Sequence, residues 1–202
     1  MQLCPGRYRW RHDYVLRELA DIFERERTKK RKESVESKGI QFVKKGQTAP
    51  QQKHTASSVL NRGKKCEMTV DLQKKLIFPE VVQTTLRPDV VISSDIDKRL
   101  VMVELTVPWE TRCEDTYERK MSKYTGLLGQ YRENRWRTWH FPVEVGARWF
   151  PAQSMLKMLN AMEMSGHERK RAVGRLVHAT ERASSWLWYK REEKSWKPAT
   201  DT

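Results

Sequence analysis

The chain has 202 residues, 38% of them hydrophobic, and a formal charge of +14 with a sequence pI near 9.8, enough apolar material for one ordinary core with polar tails to spare. Cys4, Cys66 and Cys113 lie far apart with no C-x-x-C pair, and Cys4 with His12 alone cannot make a zinc knuckle, which excludes a disulfide framework and a complete zinc site. No stretch approaches the length of a membrane span, and residues 1–13 are rich in arginine without an apolar h-region, so the expectation is a soluble, unsecreted, intracellular protein with no membrane partner.

In chain order, Asp13 reads as an N-cap, and Val15, Leu16, Leu19, Ile22 and Phe23 recur at helical spacing, predicting an amphipathic helix of about three turns. The helix runs into Arg25 to Lys32, so residues 1–32 read as an N-terminal basic helix. Lys29-Lys30-Arg31-Lys32 reads as a nuclear localisation patch, or equally as the solvated face of a helix end. Residues 33–66 turn polar, with Gly39, Gly46, Gly63, Pro50 and a Gln-Gln-Lys-His-Thr-Ala-Ser-Ser stretch, a linker by composition and expected to be disordered.

From residue 67 the pattern becomes strand-like, in Met68–Leu72, Leu76–Pro79, Leu86–Ile92 and Leu100–Val107. The short polar connection from Ser93 to Arg99 predicts that the last two strands pair antiparallel. Alternation along the last puts Met102, Glu104 and Thr106 on one face and Val101, Val103, Leu105 and Val107 on the other.

After Pro108, Thr111-Arg112-Cys113-Glu114 has the form of a capping box. The helix it predicts, about 112–133, carries an apolar stripe of Tyr117, Met121, Tyr124, Leu128 and Tyr131, with Lys120 inside the stripe and Lys123 at its margin. A strand over 138–145 follows, then helices at about 152–164 and 168–190, the last with an apolar face of Val173, Leu176, Val177, Thr180 and Leu187. The whole predicts an α/β fold with a central mixed β-sheet flanked by helices over 67–164, basic helical extensions at both ends, and 165–202 as a C-terminal helix and tail.

The functional lead is a pair of acids. Asp89 and Glu104 each interrupt an apolar strand run and face each other across the predicted hairpin. A carboxylate among Val, Ile and Leu loses hydration unless a positive charge compensates, and a divalent cation shared between two carboxylates compensates well. The plainer readings are a turn cap after Pro88 for Asp89 and a surface-facing strand position for Glu104. An amine inside an apolar stripe also wants a partner, which points Lys120 toward the carboxylates.

Charge is unevenly spread: residues 1–66 carry 17 Lys and Arg against 7 Asp and Glu, residues 67–164 carry 14 against 14, and residues 165–202 carry 9 against 5. A neutral core between cationic flanks suits flanks that grip a polyanion. Trp10, Trp186, Trp188 and Trp196 among those charges are available to stack on bases or to cap the core.

Five blocks carry a family resemblance: Arg-Tyr-Arg-Trp-Arg-His-Asp (7–13), Leu-Arg-Pro-Asp (86–89), Val-Glu-Leu-Thr-Val-Pro-Trp-Glu (103–110), Glu-Arg-Lys-Met-Ser-Lys-Tyr (118–124) and Phe-Pro-Val-Glu-Val-Gly (141–146). Their order resembles the PD-(D/E)xK restriction-like endonucleases, and more closely the C-terminal endonuclease region of non-long-terminal-repeat retrotransposons and animal sequences related to these elements. The resemblance covers most of the chain. It implies a restriction-endonuclease-like core and a nuclear, Mg²⁺-dependent DNA endonuclease, with Mn²⁺ as the alternative ion and RNA as the alternative partner. It implies that Asp89 and Glu104 hold the metal with the Leu105 carbonyl, that a lysine orients or deprotonates the attacking water, and that the product carries a 5′-phosphate.

The sequence departs from the superfamily pattern where Thr106, not lysine, stands two residues after Glu104. In the resembled nucleases the following helix supplies the lysine, which here corresponds to Lys120 or, next, Lys123. The alternative is a non-catalytic nucleic-acid-binding remnant of such an element, and a weaker one is a purely structural interaction domain.

Overall fold

The computed structural model describes residues 5–36, 59, 66–72 and 84–193, with side chains at 6–30 in the first of these segments. Helix α1 spans Pro5–Glu36, followed by strands β1 (Glu67–Val70), β2 (Val90–Ser94) and β3 (Arg99–Thr106), helix α2 (Cys113–Glu133), strand β4 (Arg137–Glu144), and helices α3 (Gln153–Ala161) and α4 (Gly166–Tyr189). The predicted strand at Leu76–Pro79 lies outside the described residues, as do the linker positions from 37 to 65 apart from Val59.

The strands form one four-stranded sheet in the order β1-β2-β3-β4. β1 with β2 and β2 with β3 are antiparallel, the latter registering Val90 with Val103 and Ser94 with Arg99. β3 and β4 are parallel, registering Glu104 with Pro142 and Thr106 with Glu144. A parallel pair needs a long crossover, and α2 provides it. The mixed sheet flanked by helices is therefore as the sequence predicts.

Period-two alternation divides the sheet into two apolar faces. Val91, Leu100 and Met102 pack with Tyr124, Leu127, Leu128 and Tyr131 of α2. Val90, Ile92, Val101, Val103 and Leu105 face the other way, onto residues of α1, α3 and α4. β3 is buried along nearly its whole length, so the residues it carries are placed by packing on both sides.

Several local expectations are corrected. α1 is 32 residues long and begins at Pro5, so Asp13 lies inside the helix rather than at its cap. Proline is tolerated in a first turn, and the extra N-terminal turns are held from outside: the Arg7 guanidinium donates to the Arg191 carbonyl at 3.0 Å, and Arg11 to the Val107 carbonyl at 2.9 Å. α1 is also no appendage. Val15, Leu16, Leu19 and Phe23 are wholly buried in the main core, and α1 runs antiparallel to α4 through Arg11 to Ser184, Arg175 to Glu18 and Asp21, and Lys29 to Glu168.

The Thr111 capping box does not form. A 3₁₀ turn over Glu110–Arg112 leads into α2, whose N-cap Arg112 makes no side-chain cap bond; Glu114 and Asp115 in the first turn complement the helix dipole instead. The capping box that does exist is at α4, where Ser165 Oγ accepts from the Glu168 amide at 3.3 Å and Glu168 Oε2 accepts from the Ser165 amide at 3.2 Å. The α2 stripe also differs: Thr116, Tyr124, Leu127, Leu128 and Tyr131 are buried, while Met121 is exposed. On α4 the small residues Ala172, Ala179 and Ala183 join Leu176, Thr180 and Leu187 in the buried face.

Candidate active site

The acids sit where the β2–β3 ladder ends. Val90 opposes Val103, so Asp89, one residue before, falls opposite Glu104. The Asp89 carbonyl accepts from the Asp71 amide at 2.8 Å, and its side-chain Oδ2 accepts from the Leu105 amide at 2.7 Å. Asp89 therefore closes the ladder with its carboxylate, pinned to the backbone of the residue that follows Glu104.

His12 of α1 reaches the same point. Its Nε2 lies 3.2 Å from Asp89 Oδ2 and 3.3 Å from the Leu105 carbonyl, and its Nδ1 lies 3.1 Å from Asp13 Oδ1. All three neighbours are acceptors, so both ring nitrogens must donate and the ring is an imidazolium. Burial works against that charge, but the hydrogen bonds and fields of Asp89 and Asp13 outweigh it, and the pKa rises to about 9.

Glu104 is only 3% exposed. Its Oε1 accepts from Lys120 and, at 3.3 Å, from Lys123; its Oε2 accepts from the Tyr124 hydroxyl at 2.7 Å. Lys123 also donates to the Tyr124 oxygen at 2.9 Å. Burial raises the Glu104 pKa, but Lys120 first, then Tyr124 and Lys123, bring it below the usual carboxylate value. The Tyr124 hydroxyl moves the opposite way, raised by burial and by the fields of Glu104, Asp89 and Asp71, which gather around it. The helix face predicted for Lys120 from spacing is thus the face that meets Glu104, and both candidate lysines reach the acid.

Further along the same sheet face Thr106 is joined by Glu144 and His140, which the sequence analysis did not single out. Cross-strand register sets Thr106 beside Glu144, and Met102 beside His140. Among the described residues the Thr106 hydroxyl, Glu144 Oε1 and both His140 nitrogens are buried without a hydrogen-bond partner. Ser154 Oγ donates to Glu144 Oε2 at 2.5 Å, and burial raises the Glu144 pKa. The His140 ring lies 4.9 Å from that of Tyr124, and burial, helped by the two lysines, lowers its pKa to about 4, so it is neutral at physiological pH.

Among the described residues no group of three or more His, Cys, Asp and Glu side chains is arranged to hold a metal ion. The donor set nevertheless suits a hard divalent cation in kind: two carboxylates and the Leu105 carbonyl are all oxygen ligands, and Glu144 adds a carboxylate oxygen with no partner. In this conformation the positive charge at Asp89 and at the Leu105 carbonyl comes from His12, and that at Glu104 from Lys120 and Lys123.

His12 was missed as a site residue, although its signal is present: it lies three and four residues before Val15 and Leu16, on the buried stripe of α1, as Lys120 lies on that of α2. Comparison with known proteins adds no relative: no family model matches the chain, and no curated protein or solved structure matches it.

Proposed function

We propose that the chain is a Mg²⁺-dependent DNA endonuclease of retrotransposon origin, with Asp89, Glu104 and the Leu105 carbonyl as metal-holding groups and Lys120, assisted by Lys123, as the amine at the attacking water. The observation that carries this reading is a buried glutamate on the central strand gripped by two lysines from the crossover helix, beside a second carboxylate fixed at the ladder's end. A bound Mg²⁺ would supply charge stabilisation at the phosphoryl oxygens and acidify a water. The chain's own contribution is to fix Glu104 by burial and the Tyr124 hydroxyl, to aim Asp89 through the Leu105 amide, and to hold the Lys120 and Lys123 ammonium groups at Glu104, where they would orient an attacking water.

Nicking of supercoiled plasmid tests it. Wild-type protein should nick with Mg²⁺ and not with EDTA; Glu104→Gln and Lys120→Ala should each lose at least about a hundredfold, while Thr106→Ala stays near wild type. Loss on Lys123→Ala alone would pass the amine's role to Lys123.

One observation favours the binding-remnant reading: each proposed metal-holding group already has a cationic side chain beside it, with His12 bridging Asp89 and Leu105 and Lys120 at Glu104. That reading requires wild-type protein that binds DNA but stays inert with both Mg²⁺ and Mn²⁺.

A further inference from the structure

Four segments of the chain meet where β3 and β4 finish. His12 reaches Asp89, Arg11 reaches the Val107 carbonyl and Ser184, and Arg7 reaches the carbonyls of Arg191 and Glu193. The Ala147 amide donates to the Pro108 carbonyl at 2.7 Å, tying the loop after β4 to the loop after β3. Large aromatic side chains left open to solvent concentrate on these segments: Tyr8, Trp109, Trp149, Phe150, Trp188 and Tyr189, with Trp109 60% and Trp188 65% exposed.

Three of the exposed rings carry a guanidinium. Arg11 lies 5.5 Å from the Tyr8 ring, Arg148 5.5 Å from Trp109, and Arg191 4.4 Å from Trp188. Such rings do not make an apolar patch of the kind that docks a hydrophobic partner, because a cation interrupts each one. Their exposed ring surface is open to stacking by a base, in a chain of formal charge +14, while the arginines are held in place by Glu110 on Arg148, Glu192 on Arg191, and the Val107 carbonyl and Ser184 on Arg11. The other tryptophans singled out in the flanks differ: Trp10 is partly buried against Tyr14, Trp186 is partly buried, and Trp196 lies outside the described residues. Trp149 exposes its indole from the turn after β4, where it holds a left-handed φ of 59°.

We infer that these exposed aromatic rings at the β3–β4 end of the sheet, on the segments tied to the site through His12 and Asp89, bind unpaired nucleobases by stacking, so that the site works on single-stranded or locally opened nucleic acid. Stacking needs a free π-face, and a base inside an intact duplex has none to offer. The inference deepens the nuclease reading, on which the role given to the neighbouring site rests.

Fluorescence anisotropy of the full chain in EDTA tests it, with a labelled oligothymidylate of about 20 nucleotides against a duplex of equal length. Wild type should favour the single strand. Trp109→Ala and Trp188→Ala should each weaken single-strand binding about tenfold and duplex binding far less. Trp149→Gly should do the same with thermal stability kept or raised, since glycine accepts that φ, and Ile96→Ala, in the β2–β3 turn, should change nothing. Single-strand affinity unmoved by all three tryptophan substitutions overturns the inference, as does an absence of oligonucleotide binding, which would leave a protein-docking surface. Plasmid nicking by the same variants scores the nuclease reading separately. Tryptophan-dependent single-strand binding without nicking supports stacking by the rings and sinks the nuclease, whereas nicking with tryptophan-independent binding does the reverse.

Discussion

At the scale of single residues the site is a set of buried charges neutralised from different parts of the chain. His12 is 77 positions from Asp89 in sequence, and Lys120 is 16 from Glu104. Periodicity shows which face of its own helix a residue occupies but not what that face meets, so Lys120 was legible and its partner could be guessed, whereas His12 lay on a readable stripe with nothing to say that a carboxylate waited there. Thr106 was legible on the Glu104 face by alternation, but Glu144 and His140 beside it were not, since their place depends on the β3–β4 register. The imidazolium has a consequence for stability. Its pKa is about 9 in the folded chain against 6.5 for the free side chain, so its contribution is fully present below pH 6.5 and is lost as pH rises through 9. The linked free energy is on the order of 3 kcal/mol. Thermal melts in EDTA should show Tm falling between pH 6.5 and 9, and His12→Gln should flatten that slope; an identical slope in the variant would place the titration elsewhere.

At the scale of elements, strand alternation and the antiparallel acid hairpin were readable because one face of each strand is committed to each helical layer. Helix ends were not. The Thr111 motif lost to a 3₁₀ entry in which Glu110 turns aside to accept from the Arg148 amide at 2.6 Å, a contact across 38 residues. α1 was read too short because its first turns have little apolar periodicity and are held by arginines donating to distant carbonyls. Three substitutions separate these cases. Ser165→Ala should cost about 1 kcal/mol and Thr111→Ala close to nothing. Leu19→Ala, in a wholly buried position of α1, should cost about 2–5 kcal/mol in urea denaturation, whereas a helix merely appended to the sheet would tolerate it with less than about 1 kcal/mol lost.

At the scale of the whole molecule, charge and packing bear on each other. The basic N-terminal region cannot be treated as a detachable arm, because α1 contributes Val15, Leu16, Leu19, Ile22 and Phe23 to the core; removing it to probe nucleic-acid binding would remove the fold as well. The charge is better tested by ionic strength. On the proposal that the cationic excess of +14 grips phosphates, duplex affinity should fall by at least about tenfold between 50 and 200 mM salt. A flat response in anisotropy titrations would mean that the excess cations serve the fold's own carboxylates, as Lys29 and Arg175 already do.

The antiparallel pairing of α1 with α4 also sets an order of events during synthesis. Arg7 waits for a carbonyl 184 residues downstream, and Asp21 for an arginine 154 residues downstream. At a translation rate of about 5–20 residues per second, the apolar face of α1 stays uncovered for on the order of ten seconds before its partner helix exists. β3 meets its parallel neighbour only after α2 has been made, a second non-local closure. The apolar stripe of α1 therefore stays unshielded on the nascent chain until α4 has been made, which makes α1 a segment where a holdase chaperone would bind and where products truncated before α4 would aggregate.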